Sequence, residues 1–143
     1  MENDTCRIVL FDLGDDVAAS GLDLLPTVCL FVCSQVPGAY VLRNLVTQCL
    51  AIGGTWFASY GKHASRIEDE VDAILEESRT GEGVPTTSHE SESVSDLFSY
   101  LLRAAFPGEA CVRLLIVTDL PSSEREVVLS TAREMAVRER EFK

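Results

Sequence analysis

The sequence predicts a small three-layer α/β sandwich, on three observations. Short apolar runs alternate with segments of helical period. Apolar residues make up 46% of the chain, which is the proportion of a packed domain rather than a disordered one. At 143 residues, one core can bury roughly two thirds of the unfolded surface without disulfides or metals. Residues 1–143 are accordingly read as a single domain.

Arg7 to Leu13 and Thr27 to Cys33 are runs of Val, Ile, Leu, Phe and Cys bounded by turn residues, as expected of strands covered on both faces. The segment between them, Gly14 to Pro26, is too short for a full crossover helix, so the relative direction of these two strands stays open. Pro37 and Gly38 introduce a helix in which Val41, Leu42, Leu45, Val46, Cys49 and Ile52 keep a spacing of three and four, and Gly53 supplies a left-handed cap. Thr55 to Tyr60 reads as a third strand. From Ala64 to Ser78, Ile67, Val71, Ile74 and Leu75 share one side and the acids the other, giving an amphipathic helix. Residues 80–93 have scarcely any apolar side chain and are read as an exposed loop. A third helix follows, carrying Leu97, Phe98, Leu101 and Leu102, with Ser93 and Asp96 as its capping box and Pro107–Gly108 as its end. Cys111 to Thr118 is the fourth strand; a final helix after Pro121 bears Val128, Leu129, Ala132 and Met135, with a frayed tail at 138–143. About four mostly parallel strands interleaved with four helices make a Rossmann-like or flavodoxin-like arrangement.

The formal charge of −11, from 23 acidic and 12 basic residues, opposes binding to nucleic acid and to anionic membranes. The acids concentrate between 67 and 96, which first reads as a solvated helix face that keeps the chain soluble; the competing reading makes Glu68, Asp69, Asp72 and Glu76 on the second helix the candidate docking surface for a basic protein partner. Five cysteines without a CxxC pair read as small core residues in a reducing compartment. Cys29 and Cys33 in one strand lie about 13 Å apart, too far to bridge. Met1 to Thr5 does not have the basic start and apolar stretch of an export signal, and no run approaches the roughly 20 apolar residues of a membrane helix. A cytoplasmic protein is expected.

Ligands of open parallel sheets collect at the carboxyl ends of the strands, which here hold Asp12, Ser34, Tyr60 to His63, Thr118 and Asp119. Lys62, His63 and Arg66 stand at a helix start, where free amides favour a phosphate or carboxylate. Neutralisation of the neighbouring acids is the competing role for these side chains. A P-loop is excluded because Trp56 and His63 occupy the places of its first glycine and its Ser or Thr, and no GxGxxG follows the first strand. In the segment Thr86-Thr87-Ser88-His89-Glu90, His89 with Glu90 could exchange protons near neutral pH, and Ser88 or Ser91 could serve as nucleophile. Against that, there is no GxSxG elbow, and Thr87 with Glu90 fits a helix-capping box. No metal-ligand spacing is present, and no cofactor is called for.

From Thr27 to about Asp119 the chain resembles an uncharacterised bacterial α/β domain family of unknown function. Its pattern is a strand ending in an aromatic–glycine pair, an acidic helix, and a T-T-W-H motif running into an acidic stretch. The matching residues are Tyr60-Gly61, Glu68-Asp69-Glu70 with Asp72, and Thr86-Thr87-Ser88-His89-Glu90-Ser91-Glu92, with Ser88 in the place of the tryptophan. The resemblance carries no established activity, and it marks Thr86, Thr87, His89 and Glu92 as the site positions. The expected function is a non-catalytic binding protein of the bacterial cytoplasm, such as an immunity or defence accessory protein. The alternative is a Rossmann-like enzyme or anion binder using Lys62, His63, Arg66 and His89.

Overall fold

A computed structural model describes residues 6–105 and 112–141. Five parallel strands form one sheet in the order β1-β5-β2-β3-β4, comprising β1 (Arg7–Asp12), β2 (Thr27–Val32), β3 (Gly54–Tyr60), β4 (Thr86–His89) and β5 (Arg113–Thr118). The helices are α1 (Ala39–Ala51), α2 (Ala64–Glu77), α3 (Val94–Ala104) and α4 (Ser122–Glu141). The three-layer α/β sandwich read from the sequence is therefore present, with five strands rather than four.

Strand alternation sorts the core into two layers. Cys29, Phe31, Phe57, Leu115 and Val117 face α1 and α2, meeting Leu42, Leu45, Val46, Ile67 and Val71. Their neighbours Val28, Leu30, Ala58, Leu114 and Ile116 face α3 and α4, meeting Leu97, Phe98, Leu101, Val128 and Ala132. Both β2 and β5 are buried along their whole length, which is why they read as unbroken apolar runs.

The open question of the first two strands resolves simply. They are both parallel to β5, which lies between them, so the chain from Leu13 to Pro26 crosses back over the α1 and α2 face to reach β2, and it does so without a full helix. A single 3-10 turn at Ala18–Ser20 lies in their connection, and Val17 there is fully buried against the α1 and α2 layer.

The extra strand, β4, lies inside the segment 80–93 read as a loop. Its four residues, Thr-Thr-Ser-His, have no apolar alternation, but they pair in register with Phe57 to Tyr60 at the edge of the sheet. Gly53 ends α1 at φ +108°, and a Cβ there would fall 2.0 Å from the Leu25 carbonyl oxygen, so both the conformation and the space require glycine. The tail expected to fray from 138 is helical as far as Glu141. Cys29, Cys33 and Cys49 are buried free thiols as expected, but Cys6, half-buried before β1, is disulfide-bonded, which corrects the reading of all five cysteines as reduced core residues. Pro107, Gly108 and Cys111 fall outside the described residues.

One buried charge ties the amino edge of the sheet. Arg113, 1% exposed, donates from Nε to Thr27 Oγ1 (2.9 Å) and from Nη2 to the Ile52 carbonyl (2.6 Å). It thereby links β5, β2 and the turn between α1 and β3.

Candidate functional site

The two sides of β4 carry different chemistry, because successive residues of a strand point to opposite faces. On the α2 side, Thr86 Oγ1 lies 2.5 Å from Asp72 Oδ1 and 3.0 Å from Glu68 Oε2. Those carboxylates stand four residues apart on α2, one turn of helix, so both reach the same hydroxyl.

On the α3 side, Thr87 and His89 belong to a continuous hydrogen-bonded chain. Trp56 Nε1 donates to Thr87 Oγ1 at 3.3 Å, Thr87 Oγ1 lies 2.9 Å from His89 Nε2, and His89 Nδ1 lies 2.7 Å from Glu92 Oε1. An indole can only donate and a carboxylate can only accept. In the neutral imidazole the proton therefore sits on Nδ1, facing Glu92, and the Thr87 hydroxyl donates to Nε2. Every polar group in the chain is then satisfied. The Tyr100 ring covers the imidazole at a centroid distance of 5.1 Å, and Tyr60 Oη donates to the Glu92 carbonyl at 2.9 Å. Burial, with Glu92 nearby, raises the Tyr60 phenol pKa above its ordinary value.

The positions Thr86, Thr87, His89 and Glu92 are thus gathered around one short strand, with Trp56, Tyr60 and Tyr100 as partners. His89 is only 5% exposed. Its hydrogen bonds have the connectivity of a hydroxyl, a base and an orienting carboxylate, but the hydroxyl also accepts from Trp56. Thr87, His89 and Glu92 line neither the cleft between α1 and α2 nor the hollows at the end of α2 and at the carboxyl ends of β2 and β3. Thr87 is not the helix cap expected of it, because it lies within the strand. Ser93 caps α3 instead, its Oγ accepting from the Asp96 amide at 3.1 Å.

Glu90 points the other way. Its Oε2 accepts from the Ser65 amide in the first turn of α2 at 3.1 Å, and hydrogen bonds from the Ser65 side chain and backbone hold its carboxyl below the usual range. The helix start that was read as an anion site therefore already receives a carboxylate from this chain. Lys62, His63 and Arg66, together with Arg43, line a cleft of about 680 Å³ between α1 and α2, which Asp69, Glu70 and Glu90 share. His63 lines this cleft, and His89 does not.

Two further hollows belong to the surface. The end of α2 and the turns after it form a cleft of about 430 Å³ lined by Asp72, Glu76 and Glu82 with Gly81 and Gly83. At the carboxyl ends of β2 and β3, between the first turns of α3 and α4, a cavity of about 360 Å³ is walled by Val32, Tyr60, Val94, Leu120 and Val128. Ser34, Lys62 and Glu124 are among its polar lining. This crevice follows from topology. β2 leads into α1 on one face and its neighbour β5 leads into α4 on the other, so the chain parts above their carboxyl ends. Asp119 bridges the parting, accepting from the Ser34 amide at 2.8 Å and from the Ser34 hydroxyl at 3.1 Å. Asp12 at the end of β1 is held in an ion pair with Arg125.

Glu124 and Trp56 were not marked by the sequence reading. Trp56, the single tryptophan, sits in a strand pattern that gave no hint of its polar partner, and Glu124 stands in the first turn of α4, where an acid needs no functional reason. Among the described residues no group of three or more His, Cys, Asp or Glu converges as a metal site, and no helix is long and apolar enough to cross a membrane.

Fold and site together define a five-stranded, all-parallel α/β domain with a polar edge strand tied internally. The chain belongs to the family described as a domain of unknown function, DUF7684, whose model matches residues 10–135. Comparisons with curated proteins and with solved structures find no match.

Proposed function

We propose that this protein is a non-catalytic binding protein whose α2 face docks a basic protein partner, in the manner of an immunity or defence accessory protein of the bacterial cytoplasm. The observation that carries the reading is the acidic cleft at the end of α2. Asp69 and Glu76 are exposed on the helix, and the cleft continues that negative edge through Asp72 and Glu82. Unlike charges across such a surface steer encounter and set its salt dependence.

The groups that could do chemistry are otherwise engaged or shielded. His89 is buried and bonded at both nitrogens. The Cys33 thiol, beside the carboxyl-end cavity, has a pKa pushed up to about 12 by burial and by Asp119, which leaves it protonated at neutral pH. The alternative of an anion binder at Lys62, His63 and Arg66 draws less support, since three carboxylates share that cleft.

The test uses an Arg/Lys-rich peptide as probe and measures its association rate as ionic strength rises. Asp69→Asn, Glu76→Gln and Glu82→Gln together are expected to slow association and flatten its salt dependence. Neutralising Asp23, Glu126 and Glu134 should do neither. Equal effects from the two sets would reduce the reading to net charge alone and sink it.

A further inference from the structure

We infer that the cavity at the carboxyl ends of β2 and β3 is a binding site for a free α-amino acid with an apolar side chain. The site is distinct from the acidic cleft on α2 and does not depend on it.

Its position is the one where open parallel sheets bind small molecules, and its volume of about 360 Å³ suits a compact ligand. The walls are chiefly apolar: Val32 closes β2, Val94 opens α3, and Leu120 and Val128 come from the start of the α4 region, with the Tyr60 ring beside them. Such a lining rewards an apolar body. The polar groups are few and of both signs. Lys62, on the loop before α2, is exposed, and Glu124, in the first turn of α4, is exposed. Both line this one cavity, yet no ion pair joins them, and neither has an ion-pair partner among the described residues.

A cation and a carboxylate held apart over an apolar hollow are complementary to a zwitterion. The ligand carboxylate meets Lys62, its ammonium meets Glu124, and its side chain enters between Val32, Val94 and Val128. A purely anionic amphiphile would satisfy Lys62 but face Glu124, and an amine would do the reverse. The Ser34 hydroxyl lines the same cavity but already donates to Asp119, so it can offer the ligand only an acceptor. The remaining reactive groups argue for binding without turnover. Tyr60 Oη donates to the Glu92 carbonyl, and the Cys33 side chain is buried.

Three probes of similar shape separate the charges: L-phenylalanine carries both, 3-phenylpropionate only the acid, and phenethylamine only the amine. Calorimetric titration of the wild-type chain should show saturable binding of L-phenylalanine, with each single-charge analogue roughly tenfold weaker or worse. Lys62→Gln should weaken L-phenylalanine and 3-phenylpropionate by about that factor and leave phenethylamine unchanged. Glu124→Gln should do the converse. Both residues are exposed, so these variants keep the fold, and unchanged circular dichroism and melting temperature confirm it. If none of the three probes binds saturably up to its solubility limit, or if 3-phenylpropionate binds as tightly as L-phenylalanine, the assignment is wrong. Loss of peptide association in the α2 variants with L-phenylalanine binding intact separates this site from the docking surface.

Discussion

Replacing His89 with alanine separates an architectural histidine from a working one. The side chain is 5% exposed and makes two hydrogen bonds, one to a carboxylate and one to a hydroxyl. A bond to a charged acceptor contributes about 1.5–3 kcal/mol and a neutral one about 1 kcal/mol. Losing the ring also removes its contact with Tyr100 and leaves Thr87 and Glu92 to find other partners. The expected cost is about 3 kcal/mol, roughly 10 °C in melting temperature for a chain of this length. Urea denaturation followed by circular dichroism measures it, and a double-mutant cycle with Glu92→Gln should show coupling of at least about 1 kcal/mol. The reasoning is refuted if His89→Ala melts within about 2 °C of the wild type. A variant that stayed stable yet lost a binding or enzymatic activity would put His89 in the working site instead.

Glu90→Gln should lower stability near neutral pH and lose that effect in acid. Because the folded carboxyl titrates below its unfolded counterpart, its stabilisation is complete above the unfolded pKa and disappears as pH falls through the folded one. Urea midpoints of the two proteins, taken across a pH series, should therefore converge at the acid end; a constant gap would show that the bond to Ser65 does not act through charge. Gly53→Ala should cost more than the roughly 1–2 kcal/mol of an ordinary left-handed residue, since its Cβ would also collide with the Leu25 carbonyl. A denaturation midpoint within error of the wild type would contradict that geometry.

The elements legible in the sequence were those whose side chains meet oil. β2 and β5 are buried on both faces and announce themselves as continuous Val, Ile, Leu and Cys. The second and third helices show their period because each presents one face to the core. β4 escaped notice for the opposite reason. Its side chains are held by hydrogen bonds to residues such as Asp72, Trp56 and Glu92, which are distant or irregularly spaced in sequence, so hydropathy carries no trace of them. The β-branched pair Thr86-Thr87 after Pro85 was the available signal.

The same limit applied to the site. The resemblance singled out Thr86, Thr87, His89 and Glu92, and the structure gathers them, but local spacing suggested that Thr87 was a cap. Only the fold shows that Trp56, 31 residues away, donates to its hydroxyl. Likewise the positive charge around Lys62 suggested a place for a foreign anion, while the carboxylate at the Ser65 amide comes from Glu90, 25 residues further on. Strand order was illegible too, because nothing in an apolar run states which neighbour it will choose.

That order has a consequence for assembly. β1 pairs only with β5, whose first residue is Arg113, and β5 also forms one whole side of β2. The late strand is thus a keystone driven between two early ones. A nascent chain that has not yet released it carries two unpaired strand edges, both strongly apolar, and such edges are templates for wrong pairing. The final insertion closes contacts across more than a hundred residues, a long-range step that slows folding. Arg113 arrives with that strand and reaches Thr27 and Ile52 at once, so two acceptors on the β2 side meet the charge as the sheet closes.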